Sequence, residues 1–156
     1  VLSGCSPGSE SPNQSEADSV LIEPGVRVGK VRGQMSVDDV IAQLGKPDQE
    51  SGRFLEYRQL GFAVGYNRER VVRVVKCGGS SDVNDPLAKA FKGRTQEGLG
   101  IGSTHADIVK VYGEPSNGAK TIGQGGEMLE FKAIGITFTL KDDQVYNISI
   151  DFRAGK

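Results

Sequence analysis

Two stretches of this chain alternate apolar and polar residues with a period of two, and each follows a shorter stretch with helical spacing. In the first helical stretch Val37, Val40, Ile41 and Leu44 fall on one face. Ser36 stands where a hydroxyl satisfies the first free backbone amides, Gly45 where the left-handed conformation ends a helix, and Pro47 where a helix cannot continue. The second helical stretch carries Ile108, Val109, Val111 and Tyr112, with Thr104 or Ser103 as cap and Gly113 and Pro115 as stops. Three short strands are expected after each helix. In the second set Leu129 and Phe131 flank Glu130, Ile134 to Leu140 alternates with Gly135, Thr137 and Thr139, and Tyr146 to Phe152 alternates with Asn147, Ser149 and Asp151. One apolar side on each strand predicts an antiparallel sheet with one buried face and a helix covering it. Gly61 and Gly135 suit tight turns, and Asn67–Arg70 and Lys141–Gln144 suit polar hairpin tips. Short strands at Val26–Val31 and Leu99–Ile101 are expected ahead of the helices.

The two stretches match residue by residue. Asp39 and Asp107 lie 68 positions apart, and the same offset pairs Ser36 with Thr104, Val40 with Ile108, Leu44 with Tyr112, Gly45 with Gly113 and Pro47 with Pro115. A longer second loop then moves the offset to 74, pairing Leu55-Glu56-Tyr57 with Leu129-Glu130-Phe131, Leu60-Gly61-Phe62 with Ile134-Gly135-Ile136, and Arg70-Val71-Val72 with Gln144-Val145-Tyr146. This reads as an internal duplication. The expected fold class is α+β, two αβββ repeats, each a short helix on an antiparallel β-meander. The expected division is residues 1–24 as a tether, 25–76 and 98–156 as the repeats, and 77–97 as a linker. Within the linker, Asp85-Pro86 predicts a helix cap with proline at the first helical position and a short helix over Leu87–Phe91. A unit of this size has a small core, so the two copies are expected to share a sheet or pack together.

Composition narrows the function classes. Of 156 residues, 37% are hydrophobic and 25% charged, enough for a core and against global disorder. Trp is absent and aromatics make up 6%, which disfavours a nucleic-acid stacking surface. The net charge of −1 gives no global attraction to nucleic acid or anionic membrane. Its distribution is uneven: residues 25–76 hold ten basic and six acidic residues, residues 98–152 four basic and seven acidic. Two readings stand, ordinary surface variation or a first half that meets an acidic partner or anionic head groups.

There are two cysteines, Cys5 and Cys77, too few for a disulfide framework, and with the single His105 too few for a zinc site. Leu2-Ser3-Gly4-Cys5 resembles a bacterial lipobox, the small-residue site cut before a lipidated cysteine. Ser6–Ser19, rich in Ser, Pro, Glu and Asn, reads as a flexible tether, and nineteen such residues would reach roughly 25 Å. The resemblance implies diacylglycerol and acyl groups on Cys5 that anchor the protein in a membrane. With Ser6 rather than Asp after the cysteine, it implies the outer membrane, facing the periplasm, in a Gram-negative cell. A Cys5–Cys77 disulfide is the alternative.

A Ser or Thr cap, an acidic–apolar pair, then LG-x-P or YG-x-P before a β-meander resembles the small outer-membrane assembly lipoproteins of the SmpA/OmlA type. It also resembles the helix-plus-meander repeat of the β-lactamase-inhibitor-protein (BLIP-like) fold. Ser36, Asp39, Val40, Leu44, Gly45 and Pro47 carry the resemblance in one copy, and Thr104, Asp107, Ile108, Tyr112, Gly113 and Pro115 in the other. The assembly lipoprotein has one such copy and this chain has two. The resemblance implies a non-enzymatic protein-binding or scaffolding module at the cell envelope, with an unidentified envelope protein as partner. Inhibition of a secreted or periplasmic enzyme and carriage of a small apolar ligand are the alternatives.

No catalytic set, metal site or cofactor site is assigned. GLGIGST (Gly98–Thr104) superficially resembles a phosphate loop, but the elements after it form a β-meander where a nucleotide fold needs strand, helix and parallel strand. Asp82–Asp85 lacks the glycine and distant Glu of a calcium loop and reads as a helix cap. His105 reads as solvent-facing in a first helical turn, and Cys77 as a small buried thiol. Glu56 and Glu130 recur at equivalent strand positions, and two recurring carboxylates suggest paired acid–base work, yet duplication alone explains them. Arg68, Arg70 and Arg73 cluster at a hairpin and are the candidate partner contacts, with protection of a strand edge as the plainer reading.

Overall fold

The computed structural model describes residues 20–153. They form an α+β fold in which a large antiparallel sheet dominates a few short helices. Its strands are β4 (Gln49–Ser51), β5 (Phe54–Tyr57), β6 (Phe62–Tyr66), β7 (Val72–Gly78), β9 (Lys120–Ile122), β10 (Gly126–Phe131), β11 (Ile136–Lys141) and β12 (Gln144–Asp151). They lie in the order β4-β5-β6-β7-β12-β11-β10-β9, so the last strand of each meander meets the last strand of the other. A smaller sheet, in the order β3-β2-β1-β8, joins β1 (Leu21–Glu23), β2 (Arg27–Val28) and β3 (Val31–Arg32) to β8 (Arg94–Thr95), with β1 and β8 parallel.

Three helices among the described residues start and stop where their chemistry requires. In α1 (Val37–Leu44) the Ser36 hydroxyl accepts from Asp39 N–H at 3.0 Å, and Gly45 closes the helix with φ 87°. In α3 (His105–Tyr112) Thr104 and Asp107 form a reciprocal capping box, and Gly113 closes it with φ 78°. Between them α2 (Pro86–Ala90) is capped by Asp85, whose carboxylate accepts from Leu87 N–H at 2.9 Å.

Equivalent hydrogen bonds recur in the two halves. Asp48 N–H donates to Glu56 O and Ser116 N–H to Glu130 O; Gly61 N–H donates to Tyr57 O and Gly135 N–H to Phe131 O. Arg58 N–H donates to the Asp48 side chain and Lys132 N–H to the Ser116 side chain. The leading segments dock alike: Val72 N–H donates to Met35 O, and Val145 N–H to Ser103 O.

One core lies on one side of the large sheet. Leu55, Val64, Val75, Ile148, Phe138 and Leu129 from successive strands are completely buried there, as are Val37 and Val40 of α1 and Ile108 of α3. Tyr112 of α3 stacks over the sheet, 5.4 Å from Phe131 and 6.3 Å from Phe138, ring centre to ring centre. The β7–β12 junction is the middle of this core, pairing Cys77 with Ile148 and Val75 with Ile150.

The structure differs from the sequence expectations in four places. α1 and α3 are each followed by four strands rather than three: the edge strands β4 and β9 are polar and mostly exposed, so no apolar period announces them. Strand β1 begins at Leu21, inside the expected tether, because Ile22 is buried in the core. Val26–Val31 is not one strand but the hairpin of β2 and β3, and Leu99–Ile101 contributes a single bridge, Gly100 to Arg94. Finally, Val72 rather than Val71 corresponds to Val145, since Tyr66 pairs with Val72 and Leu140 with Val145. The β6–β7 hairpin loop is one residue longer, and a bulge in each pair leaves Arg73 and Tyr146 as the extra residues.

Truncation at the junction tests whether the two halves form one cooperative unit. Ile148→Ala should cost about 2–5 kcal/mol. It should lower the denaturation midpoint seen by far-ultraviolet dichroism and by tyrosine fluorescence together. A midpoint shift in one probe alone would mean that the halves unfold separately.

Candidate functional site: the open face of the sheet

The side of the large sheet opposite the helices carries the alternate residues of every strand. One row across it runs Gln49, Glu56, Ala63, Lys76, Ser149, Thr137 and Glu130 in consecutive cross-strand pairs. A second runs Ser51, Phe54, Gly65, Val74 and Asp151, and a third Lys120, Met128, Thr139, Asn147 and Gly78. Phe54, Ala63, Val74, Thr137, Thr139 and Ser149 are half-buried, shielded by their neighbours in the sheet.

The most built part of this face lies on the first half. The Phe54 ring and Val74 lie over Gly65, where a Cβ would stand 2.6 Å from Val74 Cγ1 and 2.7 Å from Phe54 Cε1. Lys76 Nζ sits 4.9 Å from the Phe54 ring centre, a cation–π contact that holds an exposed charge against an aromatic face. Beside it is a depression of about 250 Å³ bounded by Glu56, Ala63, Lys76, Asn147 and Leu87. Its wall is the chain after β7, fixed by Asn147 Nδ2 donating to Gly79 O at 2.9 Å. Gly61 brings α2 to that wall: its φ is 75°, and its Cα lies so close to the Phe91 amide that no side chain fits. The result is a surface with an aromatic centre, the Lys76 ammonium against it, the Glu56 carboxylate with Arg58 3.7 Å away, and amide and hydroxyl groups around them.

The sequence candidates fall in different places. Arg68, Arg70 and Arg73 all belong to the β6–β7 hairpin, but they are not equivalent. Arg68 is at the exposed tip. Arg70 turns back, 3.3 Å from Glu50 and 5.3 Å over the Tyr66 ring. The Tyr66 hydroxyl also donates to Glu50; this bond, with Arg70, holds the Glu50 carboxyl below the ordinary value, while the same bond and then burial push the Tyr66 phenol up against the opposing effect of Arg70. Arg73 is the extra residue of the bulge. Glu56 and Glu130 both point to the open face but stand five strand spacings apart, about 24 Å, beyond any shared acid–base chemistry. Glu130 is instead paired with Lys120 at 3.2 Å and Lys132 at 3.8 Å.

His105 is not freely solvent-facing. Its Nδ1 lies 2.7 Å from Glu127 Oε1, and its backbone N–H donates to Asp143 at 3.0 Å, which fixes the start of α3 to the β10 and β11–β12 edge. The glycine-rich loop borders a depression of about 630 Å³, lined by both acids and bases. The loop amides are already used: Gly98, Gly100 and Gly102 N–H donate to Thr95 O, Ser103 Oγ and Val145 O, and Thr104 N–H to Asp107. They leave no cradle for a phosphate. Asp82 and Asp85 are committed to turn and cap, accepting from Asn84 and Leu87 N–H. Cys77 is fully buried and burial pushes its thiol well above the ordinary value. Cys5, the candidate lipidation site, lies outside the described residues, so no pairing with Cys77 is described.

Phe54, Gly65, Lys76 and Asn147 were not singled out from sequence. Strand phase alone assigns Phe54 and Lys76 to the outer face; what it lacks is the cross-strand register that puts them together.

No family model and no curated protein matches the chain. Among solved structures it is similar to a DUF4309 family protein (YjgB) from Bacillus subtilis subsp. subtilis strain 168, with a TM-score of 0.52 and 15% identity over 86% of this chain and 89% of that one. A second is an extracellular protein containing a SCP domain from Bacillus anthracis strain Ames, with a TM-score of 0.47 and 11% identity over 96% of this chain and 48% of that one. The first likeness is one of fold. No helix among the described residues is long and apolar enough to cross a membrane.

Two measurements check the buried groups. In a Cys5→Ser background, Cys77 should resist a thiol reagent in the native protein and take up one label on unfolding. Tyr112 is pushed from the ordinary 10.0 to about 12, first by burial and then by Glu97. Because the folded value is raised, its contribution to stability is intact below pH 10 and is lost as pH rises through about 12. The stability difference between wild type and Tyr112→Phe should therefore shift over that window and not below it.

Proposed function

We propose that this chain is a non-enzymatic protein-binding module of the bacterial cell envelope, tethered through a lipidated Cys5, that meets its partner with the open face of the large sheet. The observation that carries the reading is the extent and make-up of that face. Seven strand spacings make it roughly 34 Å wide, and five to six residues make it roughly 18 Å deep. The resulting area of roughly 600 Å² approaches the ~800 Å² that each partner contributes to a standard interface. It carries an aromatic anchor and a cation at one place, Phe54 and Lys76, within a surround of short polar side chains.

The finer fold reading belongs to the same proposal: two copies of one helix-plus-meander unit, BLIP-like in kind, fused through their last strands. The recurring caps and the hydrogen bonds shared by the two halves support it. The lipobox and the polar tether support the envelope location.

The test is cross-linking in intact cells of the full chain, expressed behind a lipoprotein signal sequence, followed by purification and mass spectrometry. One abundant envelope protein is expected, with recovery falling about tenfold or more in Phe54→Ala/Lys76→Glu. Cys5→Ala should remove the capture if the anchor is needed. Capture that survives the open-face pair but fails in Arg68→Glu/Arg70→Glu/Arg73→Glu would move the interface to the hairpin and overturn the proposed face.

A further inference from the structure

A further concave feature lies on the other side of the sheet, in the first half. A groove of about 370 Å³ opens between the end of α1, the β5–β6 turn and the end of α2. Leu44, Phe62 and Phe91 line its interior, the two rings edge to face at 6.4 Å. Leu60, 43% exposed, and Val20, 38% exposed, stand at its mouth. They are two of the four large apolar side chains that the described residues leave exposed, so this concentration is not general surface character. The described lining includes two exposed lysines, Lys30 and Lys92, and no acidic residue. Neither lysine takes part in an ion pair among the described residues.

The corresponding place in the second half is filled. Tyr112, at the position equivalent to Leu44, lays its ring against Phe131 and Phe138. The turn at Ile134, equivalent to Leu60, is met by the β1–β2 hairpin, where a Cβ on Gly25 would stand 2.7 Å from Ile134 O. In the first half the β5–β6 turn is met by α2, whose Leu87 O and Phe91 N close on Gly61, and Leu44 carries no ring, so the groove opens beside Phe91 and Phe62.

We propose that this groove binds a free fatty acid, its chain along Leu44, Leu60, Phe62 and Phe91 and its carboxylate at Lys30 and Lys92. The volume falls in the range of small-ligand sites, and such sites pair an apolar body with a few polar groups that fix orientation. The charge at the mouth has one sign, which selects an anionic head over a neutral or cationic one.

The test uses the Cys5→Ala full chain and dodecanoate below its micelle concentration, followed by calorimetry and by amide chemical shifts. Saturable one-to-one binding is expected, with dodecyltrimethylammonium at least about tenfold weaker. Leu60→Glu, a change at a half-exposed residue, should weaken dodecanoate about tenfold. Lys30→Gln/Lys92→Gln should weaken dodecanoate by a similar factor and leave the cationic probe unweakened. Unchanged circular dichroism would verify that both variants are folded, and Phe54→Ala/Lys76→Glu on the open face should bind as wild type. Absence of saturable binding, or equal binding of both head groups, would overturn the proposal. So would binding to anionic phospholipid vesicles without binding to monomeric dodecanoate, which would make the patch a membrane-facing surface.

Discussion

The antiparallel pairing of β7 with β12 is the constraint on which the rest of the molecule depends. Each meander alone would end in a long strand with an unpaired edge and an apolar side. Cys77, Val75, Ile148 and Ile150 are at most 0% exposed only because each meander supplies the other's missing neighbour. A four-stranded sheet under one eight-residue helix has little apolar area to set against the conformational entropy of ordering it. Joined, the two become eight strands with one continuous core, and the helices lie over the same side.

That arrangement decides which surface remains. All of the described helices and the small sheet contribute to or border the core side; Ile22, Val28 and Val31 of the small sheet are buried in the same cluster as the strands. The opposite side of the large sheet is left to side chains that shield one another. Its Thr, Ser, Asn and Met, the charged Glu56, Glu130, Asp151 and Lys120 and the aromatic–lysine contact make the mixed polar surface of an antiparallel sheet with one face open to water. The wall beside it is built by the linker, since Gly61 admits α2 against the β5–β6 turn and Asn147 ties down Gly79. The site is thus a product of how the halves are connected as much as of either half.

Much of the α+β frame was legible because its signals are local. Ser36, Thr104 and Asp85 cap where hydroxyl or carboxylate chemistry predicts, and Gly45 and Gly113 stop the helices at positive φ. The central strands follow their apolar period. Strands β4 and β9 were not legible, because an edge strand that faces water on both sides has no period to show. The register beyond the β6–β7 hairpin was misjudged by one residue for a related reason: Val71 and Val72 are both apolar, and only the bulge at Arg73 selects which of them faces the core. The candidate site was less legible still. Phe54 and Lys76 are 22 positions apart, and their contact needs the pairing of three strands. The groove depends on a substitution between halves, Leu44 against Tyr112, whose meaning appears only when the rings that Tyr112 covers are known.

The two ends of the large sheet bear on why its face, rather than its edge, is the surface to consider. A partner strand could add to β4 or β9 only if their outer backbone groups were presented on a regular, accessible strand. Both are three residues long. On β4, Glu50 is bound by Tyr66 and Arg70, which places side chains and charge at the edge. On β9, Lys120 is drawn to Glu130, another charged pair next to an edge too short to template a long ladder. Short, charged edges are the usual means by which antiparallel sheets avoid lateral growth. The arginine cluster at the β6–β7 hairpin fits this role through Arg70, whose guanidinium is spent within the chain rather than offered outward. A sheet finished in this way at both ends keeps its exposed contact area on its face.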